Sequence, residues 1–335
     1  MEKIVTSYLN KEELPLVVQP KGQKMSLGDW VIYLRENRAF FQKALLKNGG
    51  ILFRGFPIQS PDDFGALIEA MGTGPCVDYV GGDSPRNKVK GNIYTSTEAP
   101  PSFKIPLHNE LSFVKYFPSH IYFYCETPSQ EGGETIIADA RKIYQTVDAD
   151  VRGRFEEKGL KYVSRYYSKS PLMDLINKIQ RGHKTWKEVL ETDKKEEVEK
   201  KCRDNEFGFC WHKNDWLEIT QKAPASLKHP HTQETVWFNQ SHLYDYNPRL
   251  LGWHRYLGTK VIYCRPYTRH HEIFFADETK VSRKDLYHVL DVLDSHTLAF
   301  PWQKGDVLAL DNVLTMHGRQ PFKGKRRILT AMTRA

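Results

Sequence analysis

The sequence predicts a mainly β fold with helical insertions, built as a single domain over residues 1–335. Short β-prone segments flank a charged middle with a helical pattern. No G-x-G-x-x-G motif follows a predicted strand, and neither an internal repeat nor a low-complexity linker divides the chain. We therefore expect core strands at about 50–139 and 235–335, a helical insertion at about 140–234, and a site inside a sandwich or barrel.

Five predicted helices have a 3.6-residue apolar period or a charged, helix-forming composition, and they cover residues 26–48, 60–71, 140–155, 170–201 and 282–300. Ser26 is a suitable N-cap for the first helix, and Gly49 with Gly50 ends it. Pro61 suits the first turn of the second helix.

The predicted strands are short and rich in β-branched or aromatic residues, at 51–56, 88–96, 119–125, 130–139, 235–238, 261–265, 306–311 and 327–333. A Gly-Gly turn opens the fourth of them. A Pro-rich segment at 98–104 cannot be helical. The rest of 208–258 is expected to be mostly loops, because Trp, His, Asn and Pro are frequent there.

Composition places the chain among ordinary globular proteins, with 27% charged and 40% hydrophobic residues. The net charge is +8, but the Lys and Arg are scattered and no nucleic-acid-binding signature occurs. We therefore expect no nucleic-acid partner. The positive charge favours an acidic small molecule or an acidic protein partner.

The cysteines and the apolar segments indicate a cytoplasmic protein. There are five cysteines, an odd number, and no C-x-x-C motif, which favours reduced thiols. The N-terminus shows no secretory signal. No apolar run approaches the roughly 18–20 residues that a membrane span needs.

The segment IPLHNELSF at 105–113 carries the first chemical signal. If it is a strand, His108 and Glu110 point to the same face, because side chains at i and i+2 do so. They would supply two thirds of a 2-His-1-carboxylate triad for non-haem Fe(II). The best candidate for the third ligand is His317. Two His and one Glu are also a catalytic zinc set, so a zinc hydrolase is an alternative, although H-E-x-x-H is absent.

Several ordered segments resemble the Fe(II)/2-oxoglutarate dioxygenases of the taurine dioxygenase and clavaminate synthase-like superfamily. They are FRGF at 53–56, the H-x-E at 108–110, GGETIIAD at 132–139, and GDVLALDN-x4-HGRQPF-x-GKRRIL at 305–329. The middle segment HPHTQETVWFNQ at 229–240 is similar to the subgroup typified by the syringomycin-type aspartyl β-hydroxylase.

This resemblance implies a double-stranded β-helix (jelly roll) and assigns His108, Glu110 and His317 as metal ligands. It also implies a Thr and an Arg that bind 2-oxoglutarate. Thr135 matches the Thr, 27 positions after His108. The subgroup spacing favours Arg326 as the Arg, whereas alignment on RRIL favours Arg327. A guanidinium suits a buried carboxylate because it binds in a bidentate manner.

Three further residues are weaker candidates for substrate binding. Arg319 could neutralise a substrate carboxylate, support the co-substrate or form a loop salt bridge. Arg54 could line the site or only hold the first strand in place. Asn239, in the segment FNQ at 238–240, could face the substrate.

The resemblance implies an enzyme of secondary-metabolite biosynthesis that uses Fe(II), 2-oxoglutarate and O2. The implied reaction is hydroxylation of an unactivated C–H bond in a small amino-acid-type substrate, either free or tethered to an acidic carrier protein. Glu110 favours oxygenation, because related halogenases lack this carboxylate. Epoxidation or desaturation, a zinc hydrolase and a jelly-roll binding protein are the alternatives.

Overall fold

The computed structural model describes residues 3–22, 25–78, 86–179, 183–263 and 266–334. The strands, in chain order, are β1 (Ile4–Tyr8), β2 (Leu16–Pro20), β3 (Gly50–Phe53), β4 (Lys88–Lys90), β5 (Ile93–Thr95), β6 (Ile105–His108), β7 (His120–Thr127), β8 (Glu131–Gly132), β9 (Thr135–Asp139), β10 (Leu160–Tyr166), β11 (Gly208–Trp211), β12 (Leu217–Ala223), β13 (Ser226–Lys228), β14 (Thr235–Trp237), β15 (His271–Phe275), β16 (Leu298–Phe300), β17 (Val307–Asp311), β18 (Thr315–Arg319), β19 (Phe322–Lys323) and β20 (Arg327–Thr333).

The α-helices are α1 (Leu27–Glu36), α2 (Arg38–Asn48), α3 (Pro61–Met71), α4 (Ala140–Thr146), α5 (Ala149–Lys158), α6 (Pro171–Ile179), α7 (Trp186–Leu190), α8 (Lys195–Asp204), α9 (Pro248–Leu251), α10 (Trp253–Ile262) and α11 (Arg283–Ser295). Short 3-10 turns lie at Lys213–Asp215, Ser241–Leu243 and Pro266–Thr268. Within the described ranges, no helix is both long and apolar enough to span a bilayer.

Two sheets pack against each other and form the centre of the fold. The larger has the strand order β1-β2-β3-β17-β7-β20-β5-β4, and the smaller has the order β16-β9-β18-β6. Leu308 and Phe123 from the larger sheet share one buried cluster with Ile137 and Phe300 from the smaller sheet. Burial of these alternating apolar side chains is the main driving force that holds the two sheets together.

Helices cover the outer faces of both sheets. Helices α1–α3 pack on the larger sheet, where Trp30 stacks on Phe56 with ring centroids 3.7 Å apart. Helices α4, α5 and α11 pack against the smaller sheet and β14. Each sheet is therefore shielded from water on its outer side, and the candidate ligands lie on the smaller sheet or just beyond the end of its strand β6.

The middle of the chain differs from the helical insertion expected at about 140–234. Helices α4–α8 are present, but β10, β11 and β12 form a second four-stranded sheet with β15, in the order β11-β12-β10-β15. The expectation of mostly loops at 208–258 was wrong, since β12 alternates inward Leu217 and Ile219 with outward Glu218. This alternation is typical of a half-buried strand.

Helix boundaries follow their capping residues. Residues 26–48 form two helices that meet at Asn37, rather than one. Ser26 caps the first as predicted, and left-handed Gly49 (φ 73°) ends the second. The predicted strand at 261–265 was wrong, since α10 extends to Ile262, and residues 264–265 lie outside the described ranges.

Candidate metal and co-substrate site

His108 and His317 face each other across two paired strands. In the register of β6 against β18, the two residues are direct partners, and their ring centroids are 4.5 Å apart. Both are buried, at 9% and 4% exposure. Between His317 and Arg319 the register shifts, and Gly318 lies so close to β6 that a Cβ would be 2.4 Å from the Ile105 carbonyl oxygen. The close approach of these strands therefore brings the two imidazoles together.

Glu110 is held by a turn, not by a strand. Strand β6 ends at His108, so the simple i, i+2 alternation does not place the carboxylate. Instead, the Glu110 amide donates to Asn312 Oδ1 at 2.7 Å, and Asn312 Nδ2 donates to the Glu110 carbonyl at 3.0 Å. The next residue, Leu111, has a positive φ of 55°. Such a backbone is unfavourable for a branched side chain and persists only where surrounding contacts fix it.

His108, Glu110 and His317 offer ligand atoms that all lie within 4.8 Å of one another. The Nδ1 atom of His108 is 2.9 Å from the Pro106 carbonyl oxygen. A carbonyl only accepts, so Nδ1 carries the proton and Nε2 keeps a lone pair that could bind a metal. Burial lowers the pKa of His108 to about 3, and His317 adds to this effect. Two imidazoles and one carboxylate are a donor set that fits a divalent first-row metal.

Arg86 forms an ion pair with Glu110 within the cavity. Its Nη2 is 2.6 Å from Glu110 Oε2, and the two side chains are 3% and 4% exposed. Burial alone would raise the pKa of Glu110, but Arg86 and the imidazoles outweigh this effect and hold the pKa well below its usual range. The carboxylate is therefore ionised, as a metal ligand must be.

Thr135 begins strand β9 and is 3% exposed. Its Oγ1 lies 3.1 Å from Trp302 Nε1. The indole N–H can only donate, so the Thr135 oxygen accepts this bond and its own hydroxyl proton is free to point elsewhere. Thr135 could therefore donate to an anion in the cavity.

Arg326 and Arg327 face opposite sides of the chain. Arg326 lines the cavity, and its Nε donates to the Gly133 carbonyl at 2.9 Å. Burial lowers its pKa to about 10, and nearby Arg319 adds to the effect, so the group remains charged at neutral pH. Arg327 is half exposed and pairs with Glu126 at 2.7 Å. Of the two, Arg326 is the one that could meet a ligand inside.

Arg319 lines the same cavity, but its N–H groups donate hydrogen bonds to carbonyl groups of a neighbouring loop. Its two Nη atoms donate to the carbonyls of Thr97, Ala99, Pro100 and Phe103, at 2.8–3.4 Å. Burial lowers its pKa to about 10. These bonds fix the Pro-rich segment that forms part of the cavity wall.

The structure does not place Arg54 or Asn239 on the cavity wall. Arg54 pairs with buried Asp306 at 2.7 Å and donates to the Pro301 carbonyl, which joins β3 to the segment before β17. Asn239 is fully buried and donates to the Ala225 carbonyl at 2.7 Å. Both side chains support the fold around the site.

The cavity brings together residues that are far apart in the chain. It is lined by Arg86, Ser96, Thr97, Ile105, His108, Phe123, Thr135, His317, Gly318, Arg319 and Arg326. Sequence reasoning missed Arg86 and the supporting roles of Asn312 and Trp302. A polar residue in the turn before His317 was a weak signal for Asn312, whereas nothing local marked Arg86.

Comparison with known proteins gives a consistent result. Residues 11–333 match the family described as Taurine catabolism dioxygenase TauD, TfdA family. The chain is 30% identical over 334 residues to a clavaminate synthase-like protein of Arabidopsis thaliana, covering 97% of this chain and 95% of that protein. It is 31% identical over 288 residues to the dapdiamide synthesis protein DdaC of Enterobacter agglomerans, covering 86% and 83%.

A solved structure supports the predicted fold class. PvcB, an Fe, alpha-ketoglutarate dependent oxygenase from an isonitrile synthetic pathway, superposes with a TM-score of 0.52 over 99% of this chain and 92% of that one, at 14% identity. Such low identity concerns the fold alone. It confirms the mainly β jelly-roll core that the sequence predicted.

Proposed function

Because the chain belongs to the TauD, TfdA family of dioxygenases, we propose that it hydroxylates an unactivated C–H bond in an amino acid or an amino-acid derivative. As a member of that family it is an Fe(II)- and 2-oxoglutarate-dependent dioxygenase, with O2 as second co-substrate. The proposed metal and co-substrate site rests on one observation: the buried cluster of His108, Glu110 and His317 lies beside Thr135 and Arg326.

His108, Glu110 and His317 are the proposed iron ligands. These three side chains would hold the iron, and the bound iron would supply the oxidising chemistry. Pro106 fixes the tautomer of His108, and Asn312 fixes the turn that carries Glu110. These hydrogen bonds hold the side chains of His108 and Glu110 in place, so that metal binding would need little rearrangement of them.

Thr135 and Arg326 are the proposed anchor for the distal carboxylate of 2-oxoglutarate. The hydroxyl proton of Thr135 and the positively charged guanidinium of Arg326 can both donate to it. Arg319 has a positioning role, since it holds the wall at Thr97–Phe103 against the cavity.

The proposed outcome is oxygenation, because Glu110 is present and ionised where a halogenase would leave a place for chloride. The amino-acid-type substrate and the place in specialised metabolism are supported by the similarity to DdaC, a dapdiamide synthesis protein. A net charge of +8 would favour an acidic carrier protein as the donor of a tethered substrate.

The test has two steps. Fe(II) and then 2-oxoglutarate are added anaerobically to metal-free protein, and the weak visible charge-transfer band is recorded for the wild type and for His108→Ala. A panel of free and carrier-bound amino acids is then incubated with O2, and succinate and product masses are measured. Support requires a band that His108→Ala loses, and a product that is heavier by one oxygen atom. Tight zinc binding with no band would favour the hydrolase alternative.

A further inference from the structure

Trp302 is a buried tryptophan beside the proposed 2-oxoglutarate anchor. It is 8% exposed and packs in the cluster between the two sheets, where its ring meets that of Phe300 edge-on at a centroid distance of 5.2 Å. Its polar atom is directed at one acceptor, since Nε1 lies 3.1 Å from Thr135 Oγ1. The residue therefore combines a core position with a hydrogen bond to a side chain that lines the cavity.

The backbone on both sides of Trp302 is held by one ion pair. Arg54 Nη2 donates to the Pro301 carbonyl at 2.9 Å, and the Gln303 amide donates to Asp306 Oδ2 at 2.9 Å. Arg54 and Asp306 also pair with each other at 2.7 Å. These bonds, together with the packing of its ring, fix the position from which the indole N–H of Trp302 donates.

The pairing of β16 with β9 brings Trp302 and Thr135 together. Phe300 is the direct partner of Thr135 in this pairing, and Trp302 follows two residues later. The indole N–H only donates, so it occupies one lone pair of Thr135 Oγ1. A hydroxyl that accepts a hydrogen bond becomes a stronger donor, because bonds in a chain polarise one another. The direction and the donor strength of the Thr135 hydroxyl therefore depend on Trp302.

We propose that Trp302 is a positioning residue for 2-oxoglutarate, whose N–H holds the Thr135 oxygen as an acceptor and so directs the Thr135 proton to the distal carboxylate. This inference rests on the proposed function and deepens it, since it adds a residue that favours a dicarboxylic 2-oxo acid over one with an apolar end. Among the described residues, Trp302 is not part of the cavity wall, so it acts through Thr135.

The test compares 2-oxoglutarate with 2-oxopentanoate, which has the same chain length but a methyl group in place of the distal carboxylate. Each acid is titrated anaerobically into the Fe(II)-loaded full chain, and its affinity is measured from the charge-transfer band. Trp302→Phe removes the N–H and should weaken 2-oxoglutarate binding about three- to tenfold, the range for one neutral hydrogen bond. It should leave 2-oxopentanoate binding unchanged, whereas a loss of packing alone would affect both acids alike.

A double-mutant cycle shows whether Trp302 acts through Thr135. Thr135→Val removes the hydroxyl and keeps the shape of the side chain, so the addition of Trp302→Phe to it should cause no further loss of 2-oxoglutarate affinity. Additive losses would overturn the proposal. Equal losses for the two acids in Trp302→Phe, or no loss for either, would overturn it as well.

Trp30→Phe is the matched control, because Trp30 is fully buried and its Nε1 has no hydrogen-bond partner in the described part of the chain. It should leave the affinity for both acids unchanged. Co(II), a probe of the metal cluster with a visible spectrum, should bind Trp302→Phe as tightly as the wild type; weaker Co(II) binding would overturn the positioning role. A wild type that binds the two acids equally would instead overturn the proposed 2-oxoglutarate anchor.

If Trp302→Phe does not fold, the wild-type indole can be observed directly. The full chain is isotope-labelled at tryptophan nitrogen and loaded with Zn(II), and the Trp302 indole resonance is identified by its shift in Thr135→Val. This resonance should move when 2-oxoglutarate binds and should stay in place with 2-oxopentanoate. The same shift with both acids, or no shift with 2-oxoglutarate, would contradict the proposal.

Discussion

At the level of single residues, substitution of Arg326 and of Arg327 gives a matched pair of variants, because the two neighbouring side chains lie on opposite sides of the chain. Arg326→Gln removes a buried charge from the cavity, and Arg327→Gln removes one from the surface. A hydrogen bond to a charged group contributes about 1.5–3 kcal/mol, so Arg326→Gln should weaken 2-oxoglutarate binding roughly 10- to 100-fold. Titration of the charge-transfer band measures this affinity. Equal, small effects in both variants would contradict the assignment of the anchor.

The two imidazoles provide the second prediction. His108→Ala and His317→Ala should each abolish turnover that depends on iron and should strongly weaken Co(II) binding, because each removes a ligand. His254→Ala, at an exposed position on α10, should change neither. Turnover is measured as succinate formation. Full activity in either cavity variant would show that the metal is held elsewhere.

The residues of the candidate metal cluster could be predicted from sequence, but their geometry could not. The H-x-E triplet and the distant His317 meet in one cluster. The prediction that one strand carries both His108 and Glu110 was wrong, because Glu110 lies in a turn beyond the strand end. A hydrogen bond to Asn312, 202 positions away, holds this turn in place. Arg86 was missed for the same reason, since its importance arises from a contact between distant parts of the chain and not from a local pattern.

At the level of elements, strands β6 and β18 can approach only because residue 318 has no side chain. A Cβ there would lie 2.4 Å from the Ile105 carbonyl oxygen and 2.9 Å from that of Pro106. Gly318→Ala should therefore push the strands apart, lower the free energy of unfolding by about 1–3 kcal/mol and weaken Co(II) binding. Urea unfolding and Co(II) titration measure the two effects.

Gly153 in α5 is the matched control for this variant, because nothing lies within 4 Å of the Cβ that it would gain. Gly153→Ala should raise the free energy of unfolding by up to about 1 kcal/mol, since Ala favours a helix more than Gly does. If both variants were equally stable and both bound Co(II) normally, close strand approach would not control the site.

Elements with clear local signals were predicted well. The helix after Ser60 and the terminal strand β20 agree with the structure, since capping residues and β-branched runs are local. The sheet formed by β10, β11, β12 and β15 was missed, because its frequent aromatic and polar residues concealed the alternation. That sheet is stabilised by pairing between strands that are distant in sequence.

For the molecule as a whole, buried histidines make stability depend on pH. Burial lowers the pKa of His242 from 6.5 to about 4 and that of His271 to about 3. Below about pH 6.5 these two histidines bind protons in the unfolded chain but stay neutral in the folded chain. The free energy of unfolding should therefore fall as pH falls from about 6.5 to 4, by up to about 1.4 kcal/mol per pH unit for each such group.

Urea unfolding of metal-free protein between pH 7 and pH 4.5 measures this slope. His242→Gln should flatten it, even if the variant is less stable at pH 7 because the bond to the Leu107 carbonyl changes. His254→Gln, at an exposed site, should leave the slope the same as in the wild type. An unchanged slope in His242→Gln would show that this imidazole is protonated as easily in the folded chain as in the unfolded chain.

The bond between Asn312 and Glu110 also has a kinetic consequence. It joins parts of the chain that are 202 positions apart, and contacts of such long range form slowly because their closing loop is long. We therefore expect the three side chains of the candidate metal cluster to come together late in folding. Metal should consequently slow unfolding while it leaves the folding rate almost unchanged, since it binds a cluster that the folding transition state has not yet formed. Stopped-flow refolding and unfolding with and without Co(II) would separate the two rates.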